Sequence, residues 1–329
     1  MKALLQQVRK TIERHELCPS GSRVLIGLSG GSDSVALVFL LRELAENGRF
    51  SVAGVAHLNH QLRRSSGGDE AFCRELAERL HLRIVVESAD VKGYARSRNL
   101  SVEDAARRIR YNFLESSADA LAADRIAVGH TQDDQAETFL LKLMRGAGLT
   151  GLAGIYPQRG RVIRPLLDVS RADLRSHLSE HGERWIEDET NADLENPRNR
   201  IRHVVLAELD AAAGGPTRPA IARAAGLMRE DGQWLDELAE ERYRALAAVG
   251  PDGVTLDASA TAAEPLAIRR RVLLRALRAG AGDREIALDH VEAVMAVLGG
   301  ACRGVDVPGV RVELQRGKLV LIQQKPASK

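Results

Sequence analysis

Short β-prone runs alternate with longer runs of apolar residues at helical spacing through the first half of the chain. The run 24–28 is apolar apart from one glycine, and apolar residues resume at helical spacing after a Ser/Gly turn. The predicted elements are, in order, a helix over 2–16, a strand over 24–28, a helix over 33–46, a strand over 51–57, a helix over 68–81, a strand over 83–87, a helix from 101, a strand from 125 and a further helix. Strands that alternate with helices at this spacing predict an α/β fold with a doubly wound, mostly parallel sheet.

A different pattern occupies the last third of the chain. Residues 219–242 are rich in alanine and have helical periodicity. The apolar face predicted for this helix consists of Leu227, Trp234 and Leu238. Two short strands are predicted at 310–314 and 319–322, on either side of a glycine turn. We therefore expect a smaller, mainly helical C-terminal domain with terminal short strands.

A polar segment separates these two parts. Residues 188–202 contain Pro197 and precede a helical pattern, so we interpret them as a linker. The predicted division is a catalytic domain over 1–187, a linker and connecting helix over 188–218, and a C-terminal domain over 219–329.

The turn at residues 29–34 carries the clearest chemistry. Its two glycines allow a sharp turn and close approach to an anion, and the first N–H groups of the following helix have no partner inside that helix. Three serines add hydroxyl donors, and Asp33 supplies a hard oxygen for Mg²⁺. The order of residues excludes a Walker loop, which needs a lysine after the glycines, and a dinucleotide-binding motif, which needs a third glycine. A polyphosphate site is favoured over a helix cap that is merely rich in small residues.

Polar residues at the ends of later strands extend the candidate site. Ligands of doubly wound sheets collect beyond the carboxyl ends of the strands, so the backbone near His57 is a candidate adenine contact. Asp133, Asp134 and Glu137 follow the strand from 125 and share one side of the next helix. Three carboxylates beside a polyphosphate loop would hold Mg²⁺, attract an ammonium group or accept a proton.

Two groups of arginines have two interpretations each. Glu103, Arg107 and Arg110 share a helical face, either as a surface ion-pair stripe or with the arginines directed at phosphates, and their spacing alone favours the stripe. Arg198 and Arg202 are equally consistent with phosphate contacts and with a basic linker.

Composition narrows the class of protein. The 329 residues are 44% hydrophobic and 28% charged, which is typical of a soluble protein of two or three domains, and the net charge of +2 does not by itself indicate nucleic acid. Cys18, Cys73 and Cys302 form no C-x-x-C pair, which argues against zinc, iron–sulfur and disulfide sites. The chain shows no signal-peptide core or membrane-spanning run, so we expect a cytoplasmic protein without a membrane partner.

In combination, the motifs resemble those of the tRNA(Ile)-lysidine synthetases, a family of the N-type ATP pyrophosphatase (PP-loop) superfamily. The matching motifs, in the family's order, are 29–34, 57–63, Glu103 with 107–111, 130–138, 164–167, 185–191 and 198–202. The resemblance implies ATP-dependent ligation of free L-lysine to C2 of the wobble cytidine (position 34) in a CAU-anticodon tRNA(Ile). An adenylated cytidine is the implied intermediate, and lysidine, AMP and pyrophosphate are the implied products.

The resemblance also implies roles for individual residues. The expected ATP-binding residues are Ser29, Gly30, Gly31, Ser32, Asp33, Ser34, His57 and Arg110. The expected catalytic residues are Asp33, Asp133, Asp134 and Glu137, with Mg²⁺ held by Asp33 and Asp133. The expected tRNA-binding residues are Arg107, Arg198 and Arg202, and residues 219–329 are expected to recognise tRNA. Which carboxylate acts as the base stays open.

Two alternatives compete with this hypothesis. A tRNA C2-thiolase of the same superfamily is the nearest enzyme, although such enzymes generally use paired cysteines, which this sequence lacks. A non-catalytic, ATP-dependent RNA-binding module is less consistent with three clustered carboxylates. Relative to longer members of the family, a further C-terminal domain is expected to be absent. The sequence predicts no oligomeric state.

Overall fold

The computed structural model describes residues 2–61, 66–187, 193–250, 253–282 and 284–324. The chain forms two compact units, Met1–Arg229 and Glu230–Lys329. The first unit includes residues 193–218, which belong to the predicted linker and connecting helix. The division of the chain into catalytic, linking and tRNA-recognising parts stays a prediction. No helix in the ranges given above is both long and apolar enough to span a membrane.

A six-stranded sheet forms the centre of the first unit. Its strands are β1 (Arg23–Gly27), β2 (Ser51–Asn59), β3 (Ile84–Ser88), β4 (Arg125–Ala127), β5 (Gln158–Arg159) and β6 (Val162–Ile163). The spatial order is β3-β2-β1-β4-β6-β5, and every neighbouring pair is parallel except β5 with β6. The chain therefore winds outward from β1 in both directions, which confirms the doubly wound, mostly parallel sheet and puts the switch point between β1 and β4.

Helices cover both faces of this sheet. They are α1 (Lys2–Arg14), α2 (Ser32–Ala45), α3 (Ser66–Arg79), α4 (Val91–Arg98), α5 (Val102–Ala120), α6 (Gln132–Met144), α7 (Leu149–Leu152), α8 (Arg171–Glu180), α9 (Pro197–Arg200), a π-helical turn (Ile201–Val205), α10 (Leu206–Ala213) and the start of α11 (Arg218–Leu246). The pleat of β1 explains the two layers, because Ile26 faces one hydrophobic cluster and Leu25 faces another on the opposite side. Both side chains are fully buried, and each contributes about 2–3 kcal/mol of hydrophobic stabilisation.

An antiparallel sheet organises the second unit. Its strands are β7 (Ala247–Gly250), β8 (Gly253–Asp257), β9 (Gly304–Val307), β10 (Val310–Gln315) and β11 (Lys318–Gln323), in the order β7-β8-β11-β10-β9. It packs with α12 (Ala258–Ala263), α13 (Leu266–Ala281) and α14 (Leu288–Leu298). Arg316 and Gly317 both have positive φ values between β10 and β11, which suits a two-residue hairpin. The two predicted terminal strands are confirmed, and three further strands accompany them.

Two local expectations can be compared with the structure. The region predicted as a linker and connecting helix is helical from Pro197 onward, because Asn196 caps the helix and proline at the first helical position costs no hydrogen bond. The apolar face predicted for residues 219–242 is wrong. Leu227 and Trp234 do not form a buried face, since they are 58% and 63% exposed, whereas Leu238 is partly buried against the core of the second unit. Helical spacing alone does not say which face of a long helix is covered.

Candidate active site

The turn between β1 and α2 is closed by its own serines. Ser34 Oγ donates to the Gly31 carbonyl oxygen at 2.9 Å and accepts from the Ser29 N–H at 3.1 Å. Gly30 has a φ of +88°, a conformation that side chains rarely allow. α2 begins at Ser32, and no side chain caps its first N–H groups. The turn therefore directs backbone donors and the positive end of a helix dipole toward the carboxyl edge of the sheet, where a phosphate would bind.

Ile186 packs directly against this turn. Its N–H donates to the Gly30 carbonyl oxygen at 2.9 Å, and a Cβ at Gly30 would lie 2.6 Å from Ile186 Cδ1. The neighbouring Trp185 packs against the buried cluster of the same layer. The positive φ therefore favours glycine at position 30, and a larger residue would also displace the end of the Ile186 side chain. The rest of this motif, 188–191, lies outside the described residues, as do residues 62–63 of the motif that begins at His57.

The backbone of the loop between β4 and α6 packs directly on the backbone of the turn between β1 and α2. A Cβ at Gly129 would lie 3.1 Å from the Asp33 carbonyl carbon and 3.2 Å from the Ser34 nitrogen, so glycine permits this approach. Thr131 caps α6, and its N–H donates to Asp134 Oδ2 at 2.8 Å in a reciprocal capping box. The two loops bring Asp33 and Asp134 together at the switch point, where ligands of such sheets bind.

Arg171 lies among the four predicted catalytic carboxylates. Its Nε donates to Asp33 Oδ2 at 2.9 Å, and its Nη2 donates to Asp134 Oδ1 at 3.2 Å. Its backbone N–H donates to Asp133 Oδ2 at 2.8 Å, and its Nη1 lies 3.7 Å from Glu137 Oε1. One arginine therefore contacts all four acids, which lie near the N-termini of α2 and α6.

Three more arginines complete the cluster. Arg198 Nε donates to Glu137 Oε2 at 2.7 Å, and Arg202 Nε donates to Glu137 Oε1 at 2.6 Å. The Glu137 side chain is 0% exposed, so its charge depends on these partners. Arg218 Nε lies 3.2 Å from Asp133 Oδ1. Each of the four predicted catalytic carboxylates thus has an arginine partner, and Arg218 also pairs with Asp210 at 2.7 Å.

Burial and charge act in opposite directions on the pKa values of the site. Desolvation raises the pKa of Asp33 above its usual value, although Arg171 opposes the shift. Desolvation also acts on Asp134, but Arg171 and further cationic neighbours outweigh it and hold the pKa of Asp134 below its usual value. Burial disfavours the charge of Arg171, but Asp134 and Asp33 reverse this effect and raise its pKa. Asp33 is therefore the more easily protonated of these two acids.

Two histidines lie at the carboxyl end of β2. His57 Nδ1 is 2.9 Å from the Leu28 carbonyl oxygen, so Nδ1 carries the proton and Nε2 is an acceptor. Within the described residues Nε2 is buried and has no hydrogen-bond partner. Desolvation, followed by the charges of Arg110 and His57, lowers the pKa of His60 to about 4, so this ring is neutral at pH 7. A buried acceptor at this edge fits a donor such as the exocyclic amine of adenine.

Arg107 and Arg110 lie on the N-terminal half of α5, outside the acid cluster. Neither forms an ion pair in the part of the chain that the structure describes, so the stripe with Glu103 that spacing favoured is not observed there. The Arg107 guanidinium lies 5.3 Å from the centre of the Tyr111 ring. Desolvation and the nearby charges of Arg107 and Arg198 lower the pKa of Arg110. Arg110 is therefore an unneutralised cation beside the cluster, which suits a phosphate ligand.

Sequence reasoning missed Arg171 and Arg218. Ser170 caps α8 and accepts from the Asp173 N–H at 3.1 Å, so a recognisable helix-start signal precedes Arg171. That signal could have placed the start of α8 at the ligand edge. Arg218 has no comparable signal, because its partners Asp133 and Asp210 are brought to it only by the tertiary fold.

The binding of Mg²⁺ by Asp33 and Asp133 stays a prediction. The described residues contain no group of three or more His, Cys, Asp or Glu side chains arranged to hold a metal. Nucleotide-bound Mg²⁺ needs only one or two protein carboxylates, because phosphates and water supply the other oxygens. Asp33 and Asp133 carry oxygens of the suitable kind, and in the structure these carboxylates contact Arg171 and Arg218.

One surface recess lies away from the candidate site. It has a volume of about 460 Å³ and is lined by Gly21, Phe50 and Ser51, at the amino ends of β1 and β2. Ligands of parallel sheets bind at the opposite edge, so we do not assign it to the chemistry.

Comparison with known proteins identifies the family. A family model described as a PP-loop domain, ATP_bind_3, matches residues 2–209. A tRNA(Ile)-lysidine synthase from Leifsonia xyli subsp. xyli is 38% identical over 310 residues, which cover 93% of this chain and 91% of that protein. The chain belongs to the tRNA(Ile)-lysidine synthase family. This result confirms the resemblance drawn from the motifs, and the PP-loop domain supports the use of ATP.

Members of the tRNA(Ile)-lysidine synthase family differ in length. The Geobacter sulfurreducens relative is 38% identical over 297 residues, but this chain spans 62% of its length. Among solved structures, a U34-tRNA thiolase from Methanococcus maripaludis with its 4Fe–4S cluster matches with a TM-score of 0.58 and 17% identity, over 69% of this chain and 79% of that one. This likeness supports the fold alone.

Proposed function

We propose that this protein modifies the wobble position of a tRNA by joining free L-lysine to C2 of cytidine 34 in a CAU-anticodon tRNA(Ile), with cleavage of ATP, in the cytoplasm. One observation carries the proposal. Asp134 and Glu137, on one helix, lie beside Asp33 of the PP-loop, and Arg171 links all three. An anionic nucleotide and a cationic amino acid therefore find complementary charges within one site.

The first proposed step forms the adenylated base. The C2 oxygen of the cytidine attacks the α-phosphorus of ATP, and the bond between the α-phosphorus and the bridging oxygen breaks to release pyrophosphate. The N–H groups at the start of α2 would hold the departing phosphates, and the hydroxyl groups of Ser29 and Ser34 would keep the turn closed around them. Arg110 would contact the nucleotide phosphates. Mg²⁺ held by Asp33 and Asp133 would offset the growing negative charge.

The second proposed step transfers lysine. A neutral amine of lysine attacks C2, the bond from C2 to the adenylate oxygen breaks, and AMP leaves. The amine must lose a proton, and a carboxylate of the cluster would accept it. Asp134 and Glu137 would hold the ammonium groups of lysine, since ion pairs in a desolvated site give both affinity and orientation.

The two alternatives make different chemical demands. A C2-thiolase handles sulfur, and here Cys18 and Cys73 are buried while Cys302 is exposed on the other compact unit, with no disulfide between any of them. A non-catalytic RNA-binding module would bind RNA and ATP without releasing pyrophosphate, and it leaves the buried acids without a role. Both are therefore less consistent with the site than lysine ligation.

Labelled lysine incorporation tests the proposal. Purified protein, ATP and Mg²⁺ would be incubated with transcripts of CAU-anticodon tRNA(Ile) and of elongator tRNA(Met). We expect lysine-dependent labelling of the first transcript alone, with one pyrophosphate released per lysine. Pyrophosphate release that requires another acceptor, with no labelling, would reject lysine as the nucleophile.

Asp33→Asn tests the role of the PP-loop. The substitution removes a charge next to the phosphates and disturbs the contact with Arg171, so we expect turnover to fall by about 100-fold or more. Glu46→Gln is the matched control, because it makes the same chemical change at an exposed position at the other end of α2. Equal activity of both variants would exclude Asp33 from the reaction, and circular dichroism would verify that both are folded.

A further inference from the structure

An uncompensated basic surface lies on α4 and the first half of α5. Residues 91–111 contain six arginines or lysines and two acids, which gives this short segment a net charge of +4, whereas the entire chain has +2. The six cations are Lys92, Arg96, Arg98, Arg107, Arg108 and Arg110. We call these six side chains, with Tyr94 and Tyr111, the α4–α5 basic face.

The cations of this face have no acidic partners in the described part of the chain. Glu103 and Asp104 lie in the first turn of α5, where Asp104 accepts a hydrogen bond from the Ser101 hydroxyl group at 2.7 Å. Glu103 is close enough to raise the pKa of Arg198, which belongs to the acid cluster. The local acids thus serve a helix cap and the site, and they leave the positive charge of the face unneutralised.

Two arginines of the face lie over aromatic rings. The guanidinium of Arg98 is 6.0 Å from the centre of the Tyr94 ring, and that of Arg107 is 5.3 Å from the centre of the Tyr111 ring. Tyr94 and Tyr111 are both only partly buried, so each pair presents a planar cation and an aromatic edge to solvent. Arginines interleaved with aromatic rings are typical of surfaces that bind single-stranded nucleic acid, because phosphates pair with the cations and bases stack on the planes.

The position of the face connects it with the candidate active site. α4 follows the carboxyl end of β3, and α5 leads into the amino end of β4, so the start of α5 lies at the ligand edge of the sheet. Arg110 is near enough to affect the pKa of His60, and Arg198 affects that of Arg110. Arg110, at one end of the face, therefore lies near both His60 and the acid cluster.

We propose that the α4–α5 basic face is an RNA-binding surface that holds the loop and stem next to the reacting base. The inference rests on the proposed function and adds the part of the protein that holds the RNA. RNA phosphates pair with the cations of the face other than Arg110, which is assigned to the nucleotide. An unstacked base flanking the target packs on the Arg98–Tyr94 or Arg107–Tyr111 pair. The surface belongs to the unit that contains the acid cluster.

The double variant R96Q/R98Q tests this surface without touching the residues assigned to the nucleotide or to lysine. Its matched control is R9Q/K10Q, which removes two positive charges from exposed positions of another helix, α1. Fluorescence anisotropy would measure binding of a labelled hairpin with a CAU loop at several salt concentrations. Polyglutamate of similar charge would serve as a competitor, and ATP affinity and thermal melting would be measured for each variant.

We expect R96Q/R98Q to bind the hairpin about tenfold more weakly at 0.15 M salt. The slope of log K against log salt should become shallower by about 1.4 to 1.8, as for two lost phosphate contacts. ATP affinity and melting temperature should stay at their original values, and R9Q/K10Q should bind like the original protein. Unchanged affinity and slope in R96Q/R98Q, or an equal loss in R9Q/K10Q, would overturn the proposal. So would polyglutamate that competes as well as RNA, since it would indicate binding of any polyanion.

The same variants separate this proposal from the proposed function. If the original protein incorporates lysine and R96Q/R98Q does so with the same KM for tRNA, the surface is rejected and the function stands. If the original protein binds the hairpin through this face but never incorporates lysine, the function is rejected and the surface stands.

Discussion

Glu137→Gln gives the sharpest test of the buried charge cluster. The carboxylate is 0% exposed and accepts from Arg198 at 2.7 Å and from Arg202 at 2.6 Å. An amide keeps one acceptor oxygen and replaces the other with a donor that faces a guanidinium. Hydrogen bonds to charged groups contribute about 1.5–3 kcal/mol, and removing one partner of a buried pair costs about 3–5 kcal/mol. Because half of the acceptor capacity remains, we expect a loss of about 2–4 kcal/mol of stability.

This loss of stability should appear as a lower melting temperature. Near 200 residues, one kcal/mol corresponds to about 2–4 °C, so Glu137→Gln should lower the melting temperature by about 4–16 °C. The KM for lysine should rise by about 10- to 100-fold, because a full ion pair with an ammonium group is lost, while the KM for ATP changes by less than about threefold. Differential scanning calorimetry and lysine incorporation would measure the two effects.

Glu115→Gln is the control for this prediction. Glu115 pairs with Arg161 at 3.2 Å, but it is 45% exposed and Arg161 retains Asp119 as a second partner. Exposed pairs contribute about 0–1 kcal/mol, so the melting temperature should change by less than about 4 °C. Equal melting temperatures of the two variants, together with an unchanged KM for lysine, would refute the assignment of Glu137 as a buried charge that binds substrate.

Three further predictions concern the loop, the histidines and the cysteines. Gly30→Ala should lower both phosphate affinity and melting temperature, because Gly30 has a φ of +88° and closely packed surroundings. Gly31→Ala is the control and should melt within about 2 °C of the original protein. Equal melting temperatures of the two variants would contradict the conformation of the turn. Desolvation lowers the pKa of His130 to about 4, below its unfolded value near 6.5, so its stabilising contribution is complete above pH 6.5 and is lost as the pH falls toward 4. His130→Gln should therefore make the free energy of unfolding less dependent on pH in this range, by at most about 1.4 kcal/mol per pH unit, as measured from melting curves. An unchanged pH profile would exclude His130 as the origin of the dependence. Burial raises the pKa of Cys73 to about 12, so iodoacetamide at pH 7.5 should label exposed Cys302 but not Cys73 in mass spectra of the folded protein, and labelling of Cys73 would contradict its burial.

The sequence predicts the parallel sheet well because the signals are local. The apolar run of β1 and the helical spacing of α2 follow each other directly, and crossover connections leave few arrangements for the strands. The PP-loop was recognisable for the same reason, since its glycines, serines and Asp33 are contiguous. Parallel strands then bring the β4–α6 loop to the same edge, which explains why Asp134 and Glu137 could be assigned to the site.

Contacts between distant residues escaped prediction. Arg171 and Asp33 are separated by 138 positions, and no pattern near either one indicates the other. The short strand β7, with the sequence Ala-Ala-Val-Gly, has little β propensity of its own and is defined by its pairing with β8. The polar composition of 188–202 predicts a linker, whereas the pair Asn196 and Pro197, a cap followed by proline at the first helical position, starts a helix within it.

The pairing of guanidinium and carboxylate groups has a thermodynamic consequence for the proposed function. ATP would draw arginines toward its phosphates and so release carboxylates, while lysine would occupy carboxylates and so release arginines. Each ligand therefore lowers the cost of binding the other. Because linkage is reciprocal, the factor by which ATP tightens lysine binding must equal the factor by which lysine tightens ATP binding. The ion pairs among Arg171, Asp134 and Glu137 would then make the binding of the two substrates cooperative, so that each binds strongly only when the other is present.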